Sequence, residues 1–247
     1  MAFLLLHGLG GDRDQPLSMV GPCLPEGARV LAPDLRAHGS SPQIGGPRDF
    51  AFDAITAELV DQVTAQGLDD EPLTVIGISL GAALTLRLAF SGALPIDRLV
   101  LLRPAFTDQP IPANLTVFPV IGELLHRHPV DRAEKLFRGT GAYRSIREES
   151  ELGAAGMIEQ FRKPDAAARA IRLVEFPRNR AFEPNDRPLA VPTAIIAAPR
   201  DPVHPVSVAE LWNRKLPGST LTRLPARDDG VKPYVAATRA AVRAALR

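Results

Sequence analysis

The sequence predicts an α/β fold in which a mostly parallel sheet carries helices on both faces. Short apolar runs alternate with longer segments of helical periodicity over the first hundred residues, and the alternation resumes near residue 190. The first run, residues 2–6, is apolar at every position, as expected for a strand that is covered on both faces. The composition, 45% hydrophobic and 23% charged in 247 residues, is that of a globular chain. Strands that alternate with helices in this way build a parallel sheet.

Each further strand is predicted where turn-forming residues follow a short apolar run. These runs cover residues 29–32, 73–78, 98–102, 193–198 and 220–224. Helices are predicted between and after them over residues 50–66, 81–90, 205–216 and 231–246. The first of these helices carries an apolar stripe at helical spacing between Phe52 and Val63, and Gly67 is placed to end it.

The alternation stops in the middle of the chain. Residues 105–189 contain helical patterns but no convincing strand. The helices are predicted over residues 115–126, 131–137, 149–161 and 165–176. We therefore expect residues 1–104 and 190–247 to form the core domain, and residues 105–189 to form a helical cap or lid inserted after the fourth predicted strand.

Charge and composition exclude several classes of function. The chain has 29 Lys and Arg against 28 Asp and Glu, a net charge of +1, so no excess of basic residues points to nucleic acid or to anionic lipid. No apolar run approaches a membrane span, and the N-terminus lacks the basic region of a signal peptide. Cys23 is the only cysteine, which fits a reducing compartment. We expect a cytoplasmic protein that binds neither nucleic acid nor membrane.

The most specific motif is the G-x-S-x-G sequence at residues 77–81, which directly follows a predicted strand and precedes a predicted helix. Glycines are needed there because such a sharp strand-to-helix turn leaves no room for side chains on either side of the serine. Ser79 would then lie above the sheet near the positive end of the helix. This context favours a nucleophilic serine over a simple helix cap.

A second glycine-rich turn, His7-Gly8-Leu9-Gly10-Gly11, follows the first strand. Glycines allow backbone N–H groups to converge on an oxyanion that forms during acyl transfer. The expected donors are the N–H groups of Leu9 and Leu80. The turn lacks the Lys-Ser/Thr ending of a nucleotide-binding loop and the spacing of a dinucleotide fingerprint.

Together with two further loops, these motifs resemble the α/β-hydrolase family over nearly the whole chain. Residues 34–41 resemble the family's D-x-R-x-H-G-x-S loop, and residues 200–205 resemble the loop that supplies the catalytic acid, here Asp201. The resemblance implies a serine hydrolase with a helical lid at residues 105–189. One departure is that only six residues precede the oxyanion turn, so the first two strands common in the family are missing.

The second departure concerns the general base. The resemblance implies a histidine after the last strand, but that loop reads Leu-Pro-Ala-Arg-Asp-Asp-Gly, with Asp229 about where the histidine belongs. Four explanations compete. His204 is the base and Asp201 orients it; His204 is the base and Asp229 or Asp228 orients it; a lid histidine, His126 or His128, serves; or the catalytic apparatus has been lost. Only geometry decides among them. We predict Ser79, Asp201 and His204 as the catalytic residues, with Asp229 as the alternative acid.

Supporting roles are predicted for four other residues near these motifs. Arg103 ends a strand on the catalytic side and could pair with a substrate carboxylate or with Asp201; we predict it as substrate-binding, together with Phe106 in the apolar ceiling of the pocket. His7 and His38 are expected to brace their loops. No metal site is predicted, because the chain has no H-E-x-x-H motif and no paired cysteines.

The resulting hypothesis is a serine hydrolase of small esters, thioesters or lactones that forms an acyl-enzyme on Ser79, without a cofactor. Its partner would be a small-molecule acyl substrate. One alternative is a catalytically impaired binding protein of the same fold, which the missing late histidine would favour. Another is an acyltransferase or lyase that uses the same oxyanion hole.

Overall fold

A computed structural model describes residues 1–247 and contains one six-stranded sheet. Its strands are β1 (Ala2–Leu6), β2 (Arg29–Leu31), β3 (Leu73–Ile78), β4 (Ile96–Leu102), β5 (Thr193–Ala197) and β6 (Thr220–Arg223). Their order is β2-β1-β3-β4-β5-β6, and every adjacent pair is parallel. The predicted fold class is therefore confirmed, and all six predicted strands are present.

Ten helices accompany the sheet. They are α1 (Asp14–Val20), α2 (Phe52–Ala65), α3 (Leu80–Ser91), α4 (Val117–Arg127), α5 (Val130–Arg138), α6 (Gly141–Glu149), α7 (Glu151–Arg162), α8 (Ile171–Glu175), α9 (Val206–Lys215) and α10 (Val231–Ala245). None of them combines the length and the apolar character that a membrane crossing requires.

The sheet has a separate core on each face because successive strand residues point in opposite directions. In β1, Leu4 and Leu6 belong to a cluster of 51 buried residues, whereas Phe3 and Leu5 belong to a cluster of 12. The larger cluster includes the buried faces of α2, α3 and α9; the smaller one lies under α1 and α10. Helices on both faces thus cover the sheet, as the apolar runs predict.

The segment between β4 and β5 contains the helices α4 to α8 and no strand. Its apolar side chains, such as Phe118 and Phe161, continue the larger of the two cores. Helix α6 was not predicted, because Gly139 and Gly141 mark its sequence as a turn. The helix predicted at 165–176 shortens to α8, because Pro164 and a positive φ of 54° at Asp165 interrupt it.

The parallel arrangement brings the carboxyl ends of β1, β3, β4 and β5 to one edge of the sheet. Ser79 N–H donates to the carbonyl of Leu102 (2.9 Å), and Arg103 N–H donates to the carbonyl of Ile196 (2.7 Å). The loops that follow these strands therefore begin side by side, and ligand sites of open α/β sheets form at this edge.

Candidate active site

Ser79 lies on a strained turn between β3 and α3. Its φ of 56° and ψ of −108° fall in a region that residues other than glycine rarely adopt. A Cβ on Gly77 would lie 2.2 Å from the carbonyl oxygen of Gly81, and a Cβ on Gly81 would lie 2.3 Å from the carbonyl oxygen of Leu6. Both glycines are therefore required for the chain to turn this sharply.

We expect the substitution Gly81→Ala to lower the free energy of unfolding by about 1–3 kcal/mol, because the new methyl group meets backbone and forces α3 away from β1. Gly156→Ala is the matched control: this glycine also lies in a helix, α7, but has nothing within 4 Å of the added Cβ. The control should gain about 0.5–1 kcal/mol. Urea unfolding of both variants measures the difference, and equal stabilities would contradict the steric explanation.

His204 and Asp201 meet Ser79 at this turn. His204 Nε2 lies 2.8 Å from Ser79 Oγ, and His204 Nδ1 lies 2.9 Å from Asp201 Oδ1. The loop after β5 folds back on itself, with His204 N–H donating to the Asp201 carbonyl (3.0 Å), so that residues three apart in sequence face one another. The structure thus brings together the three predicted residues, with acid and base on one loop.

Arg103 supports the carboxylate from the end of β4. Its Nε and Nη2 donate to Asp201 Oδ2 at 2.9 and 2.6 Å, and Nη2 also lies 2.9 Å from His204 Nδ1. Burial would raise the pKa of Asp201, but Arg103 and His204, which is protonated in the acidic range where a carboxylate titrates, outweigh burial and hold that pKa well below its usual value. From the sequence, Arg103 was predicted to bind substrate, with either a substrate carboxylate or Asp201 as its partner. In the structure its guanidinium donates to Asp201, so the assignment to substrate binding is corrected.

An ionised Asp201 determines which nitrogen of His204 carries the proton. The carboxylate accepts a charge-assisted hydrogen bond best, so the proton resides on Nδ1 and Nε2 is free to accept from the Ser79 hydroxyl. Burial of His204, only 8% exposed, and the nearby charge of Arg103 lower its pKa against the opposing effect of Asp201. The imidazole is therefore neutral at neutral pH and can take a proton.

In the turn after β1, the N–H group of Leu9 has no partner in the protein. Gly8 N–H donates to Gln15 Oε1 (2.7 Å), Gly10 N–H to His38 Nε2 (3.0 Å), and Gly11 N–H to the Gly8 carbonyl (2.9 Å). The N–H of Leu9 makes no hydrogen bond. The turn lies against the serine, since a Cβ on Gly8 would be 3.3 Å from Ser79 Cβ.

Leu80 supplies a second free N–H, because it is the first residue of α3 and the first turn of a helix has no internal acceptors. One N–H group thus belongs to the turn after β1 and the other to the first residue of α3, next to Ser79. Such a pair can bind the oxyanion of a tetrahedral intermediate.

His7 and His38 brace the loops around this turn as neutral rings. His7 donates from Nδ1 to the Gly8 carbonyl and accepts at Nε2 from Leu35 N–H; His38 donates from Nδ1 to the Arg36 carbonyl and accepts at Nε2 from Gly10 N–H. Burial lowers the pKa of His7 to about 4 and that of His38 well below its usual value. Both act as fixed acceptors for backbone N–H groups.

The loop after β6, where the resemblance implies a histidine, anchors the helical segment instead. Asp228 accepts hydrogen bonds from Ser150 Oγ (2.6 Å) and Leu152 N–H (3.1 Å) at the start of α7. Asp229 is exposed and pairs with Arg200. Neither carboxylate contacts His204.

The remaining predicted residues lie away from Ser79 or within the core. His126 and His128 lie at the C-terminal end of α4, and neither makes a hydrogen bond to the serine. Phe106 is 1% exposed, and its ring packs 5.2 Å from that of Phe52. The prediction that Phe106 lines a substrate pocket is therefore corrected: its side chain fills the core.

Two polar side chains that sequence reasoning missed hold the site in place. Asn114 donates to the carbonyls of Ala105 (2.9 Å) and Val203 (2.7 Å), which ties the Asp201–His204 turn to the segment after β4. Gln15 supports the oxyanion turn as described. No motif marks either residue, because each acts through contacts that only the fold creates.

The sheet, the serine turn and the three-residue hydrogen-bonded set define an α/β hydrolase. The family model described as alpha/beta hydrolase fold matches residues 2–127, and the chain belongs to this family. It is an enzyme, and its class of reaction is hydrolysis.

Named relatives agree with this class. The pimeloyl-[acyl-carrier protein] methyl ester esterase of Aromatoleum aromaticum is 30% identical over 246 residues, which cover 94% of this chain and 91% of that protein. A hydrolase from Pseudomonas aeruginosa has a TM-score of 0.70 at 20% identity, covering 98% of this chain and 89% of that one. A thermophilic esterase from Thermogutta terrifontis has a TM-score of 0.68 at 20% identity, covering 99% and 90%. The two structures show a shared fold, and the Aromatoleum relative indicates an esterase-like hydrolase.

Proposed function

We propose that this protein is a serine carboxylic ester hydrolase in which Ser79 is the nucleophile, His204 the general base and Asp201 the orienting acid. The observation that carries the proposal is the 2.8 Å distance between His204 Nε2 and Ser79 Oγ, with Asp201 on the other nitrogen of the same imidazole. This is the hydrogen-bonded chain that activates a serine hydroxyl.

In the acylation half of the reaction, Ser79 Oγ attacks the ester carbonyl as its proton passes to His204 Nε2. The N–H groups of Leu9 and Leu80 donate to the resulting oxyanion. Asp201 stabilises the imidazolium that forms, and it stays ionised because Arg103 holds its other oxygen. The imidazolium then protonates the departing alcohol as the C–O bond to it breaks, and an acyl-enzyme on Ser79 remains.

In the deacylation half, His204 takes a proton from water as the water oxygen attacks the acyl carbonyl. The second tetrahedral intermediate uses the same two N–H donors. Its collapse breaks the bond to Ser79 Oγ, which recovers the proton from His204, and the carboxylic acid leaves. The cycle requires no group beyond the residues present.

Small esters, thioesters and lactones are the substrate classes we propose, with residues 105–189 acting as a lid. The Aromatoleum relative is named as a methyl ester esterase, which supports an acyl ester among these classes. The alternative of an impaired binding protein depended on the absence of a base. The contact between His204 Nε2 and Ser79 Oγ argues against that alternative, and no observation favours an acyltransferase or a lyase.

A fluorophosphonate probe tests the proposal, because such probes form a covalent bond only with an activated serine. We expect one equivalent of label on the wild-type protein, located at Ser79 by mass spectrometry of the peptides. Ser41 is the internal comparison, since it is equally buried, at 8% exposure, but its hydroxyl makes no hydrogen bond to a histidine. No labelling, or labelling at another residue, would contradict the proposed nucleophile.

Arg103 is a positioning residue in this mechanism, and its replacement should change the pH profile. Its charge lowers the pKa of His204, so Arg103→Met should raise that pKa. Because the base must be neutral, kcat/KM rises with pH through the pKa of His204. The acidic limb should therefore move to higher pH in Arg103→Met. Arg200→Met, which removes an exposed partner of Asp229, is the control and should leave the limb in place.

A further inference from the structure

A small cavity lies beside the oxyanion turn, on the side of the helical segment. It is bounded by residues 10–12, by residues 37–39 and by the turn between α7 and α8, and its volume is about 140 Å³. That is several times the ~30 Å³ that a water molecule occupies in the liquid. Three cationic side chains line it: Lys163, Arg169 and Arg172.

Arg172 is the unusual member of this group, because it is buried without a carboxylate partner. The residue is 2% exposed, and its Nη1 donates only to the carbonyls of Ala37 (3.2 Å) and Arg169 (2.9 Å). Its Nε is buried without any partner, and its Nη2 donates to no protein atom. Burial and the neighbouring charge of Arg169 lower its pKa to about 10, so it remains a cation at neutral pH.

The carboxylates near the cavity do not balance these charges. Asp12 is the only carboxylate in the lining, and it pairs with Lys163 at 3.2 Å. Asp165 is 70% exposed and lies 3.9 Å from Arg169, beyond hydrogen-bond distance. His38, which also lines the cavity, is neutral. Two guanidinium groups therefore face the cavity with unused donors.

We propose that this cavity binds the anionic group, a carboxylate or a phosphate, of the ester substrate. A buried arginine normally has an anionic partner, and planar N–H donors suit the oxygens of these two groups. Gly10 and Gly11, which directly follow Leu9, form one wall, so an ester whose carbonyl receives the Leu9 N–H can extend its anionic end towards this cavity. This inference rests on the proposed function for the substrate, but the anion site itself does not require turnover.

Binding is measured on the Ser79→Ala variant, so that the result does not depend on catalysis. Inorganic phosphate and succinate are titrated by calorimetry at constant ionic strength in a buffer without other multivalent anions. We expect saturable binding with one site, and a loss of affinity of at least tenfold when Arg172→Met is added. Arg144→Met is the matched control, since this exposed arginine of α6 donates only to the Gly139 carbonyl.

A second variant covers the case in which Arg172→Met does not fold, as judged by circular dichroism. Arg169→Gln removes the other guanidinium of the cavity, whose one hydrogen bond is to the His38 carbonyl (3.3 Å). This variant should also weaken phosphate binding. If neither anion binds, or if affinity is the same in the arginine variants and the control, the inference is overturned.

Kinetics on the active enzyme distinguishes an anion on the substrate from a free anion. Methyl hexanoate, monomethyl adipate and methyl 5-phosphonopentanoate share the same run of methylene groups after the ester carbonyl and end in a methyl, a carboxylate and a phosphonate group. We expect kcat/KM for one of the two anionic esters to exceed that of the neutral ester by about tenfold or more, and the ratio to fall towards one in Arg172→Met. The anionic ester with the higher ratio identifies the group.

The two experiments fail separately. If the wild-type protein hydrolyses no ester but Arg172→Met abolishes anion binding in the calorimetry, the site is supported and the proposed function is contradicted. Equal kcat/KM for all three esters would overturn the assignment of the anion to the substrate, even if free phosphate binds.

Discussion

Replacing Ser79 by alanine is expected to reduce kcat for ester hydrolysis by about 10⁴-fold or more. The reason is that Ser79 Oγ is the only hydroxyl within hydrogen-bond distance of His204 Nε2, so nothing else can form the acyl-enzyme. The fold should be retained, since alanine has a Cβ like serine and accepts the same backbone conformation. The measurement is hydrolysis of a p-nitrophenyl ester under saturating conditions, with circular dichroism to confirm folding.

Ser41→Ala serves as the matched control for this substitution. Both serines are 8% exposed and lie in loops of the core, but Ser41 makes no hydrogen bond to His204. We expect its kcat to stay within about threefold of wild type. Activity in Ser79→Ala that exceeds 1% of the wild-type rate would show that another group attacks the carbonyl, and the acyl-enzyme mechanism would have to be abandoned.

The parts of the site that could be predicted from sequence are those that short segments determine by themselves. The serine turn needs glycines at 77 and 81, and the turn after β1 holds Gly10 at a φ of 75°, so both turns appear as glycine-rich motifs. The central strands β1 and β3 are buried at every position and give mostly apolar runs, whereas the edge strands β2 and β6 are largely exposed and are marked by the turn residues beside them. Each of these requirements is local, and a local requirement leaves a local pattern.

The base could not be chosen from sequence because its identity depends on a long-range distance. Five histidines were available, and the turn that points His204 towards Ser79, 125 residues away, leaves no motif. The aspartates of the loop after β6 were ambiguous for the same reason. Asp228 holds the start of α7, a contact with a residue 78 positions away that no periodicity reveals.

Phe106 and Arg172 illustrate two opposite limits of reasoning from residue type. Phe106 follows the catalytic end of β4, where an aromatic side chain suggests a pocket, but its ring turns into the core beside Phe52. Arg172 lies in an ordinary amphipathic stretch, where an arginine predicts a solvated face, and yet it is among the largest fully buried side chains. In both cases the packing of the helical segment decides the environment.

The second large effect is expected for His204→Ala, which should also reduce kcat by about 10⁴-fold or more and remove the acidic limb of the pH profile. Loss of the imidazole does not leave a buried charge unpaired, since Arg103 still donates to Asp201 at 2.6 and 2.9 Å, so the variant should fold. The wild-type limb should lie below the usual histidine value of about 6.5, because burial and Arg103 lower the pKa of His204.

Three comparisons make the assignment of the base specific to His204. His126→Ala and Asp229→Asn should keep wild-type rates, because the first lies at the end of α4 and the second pairs with Arg200 at the surface. Imidazole added to His204→Ala should restore part of the activity, since it can enter the space beside Asp201 and accept the Ser79 proton. A rate that His204→Ala leaves unchanged would exclude His204 as the base, and a rate that Asp229→Asn abolishes would place the proton transfer on the loop after β6 instead.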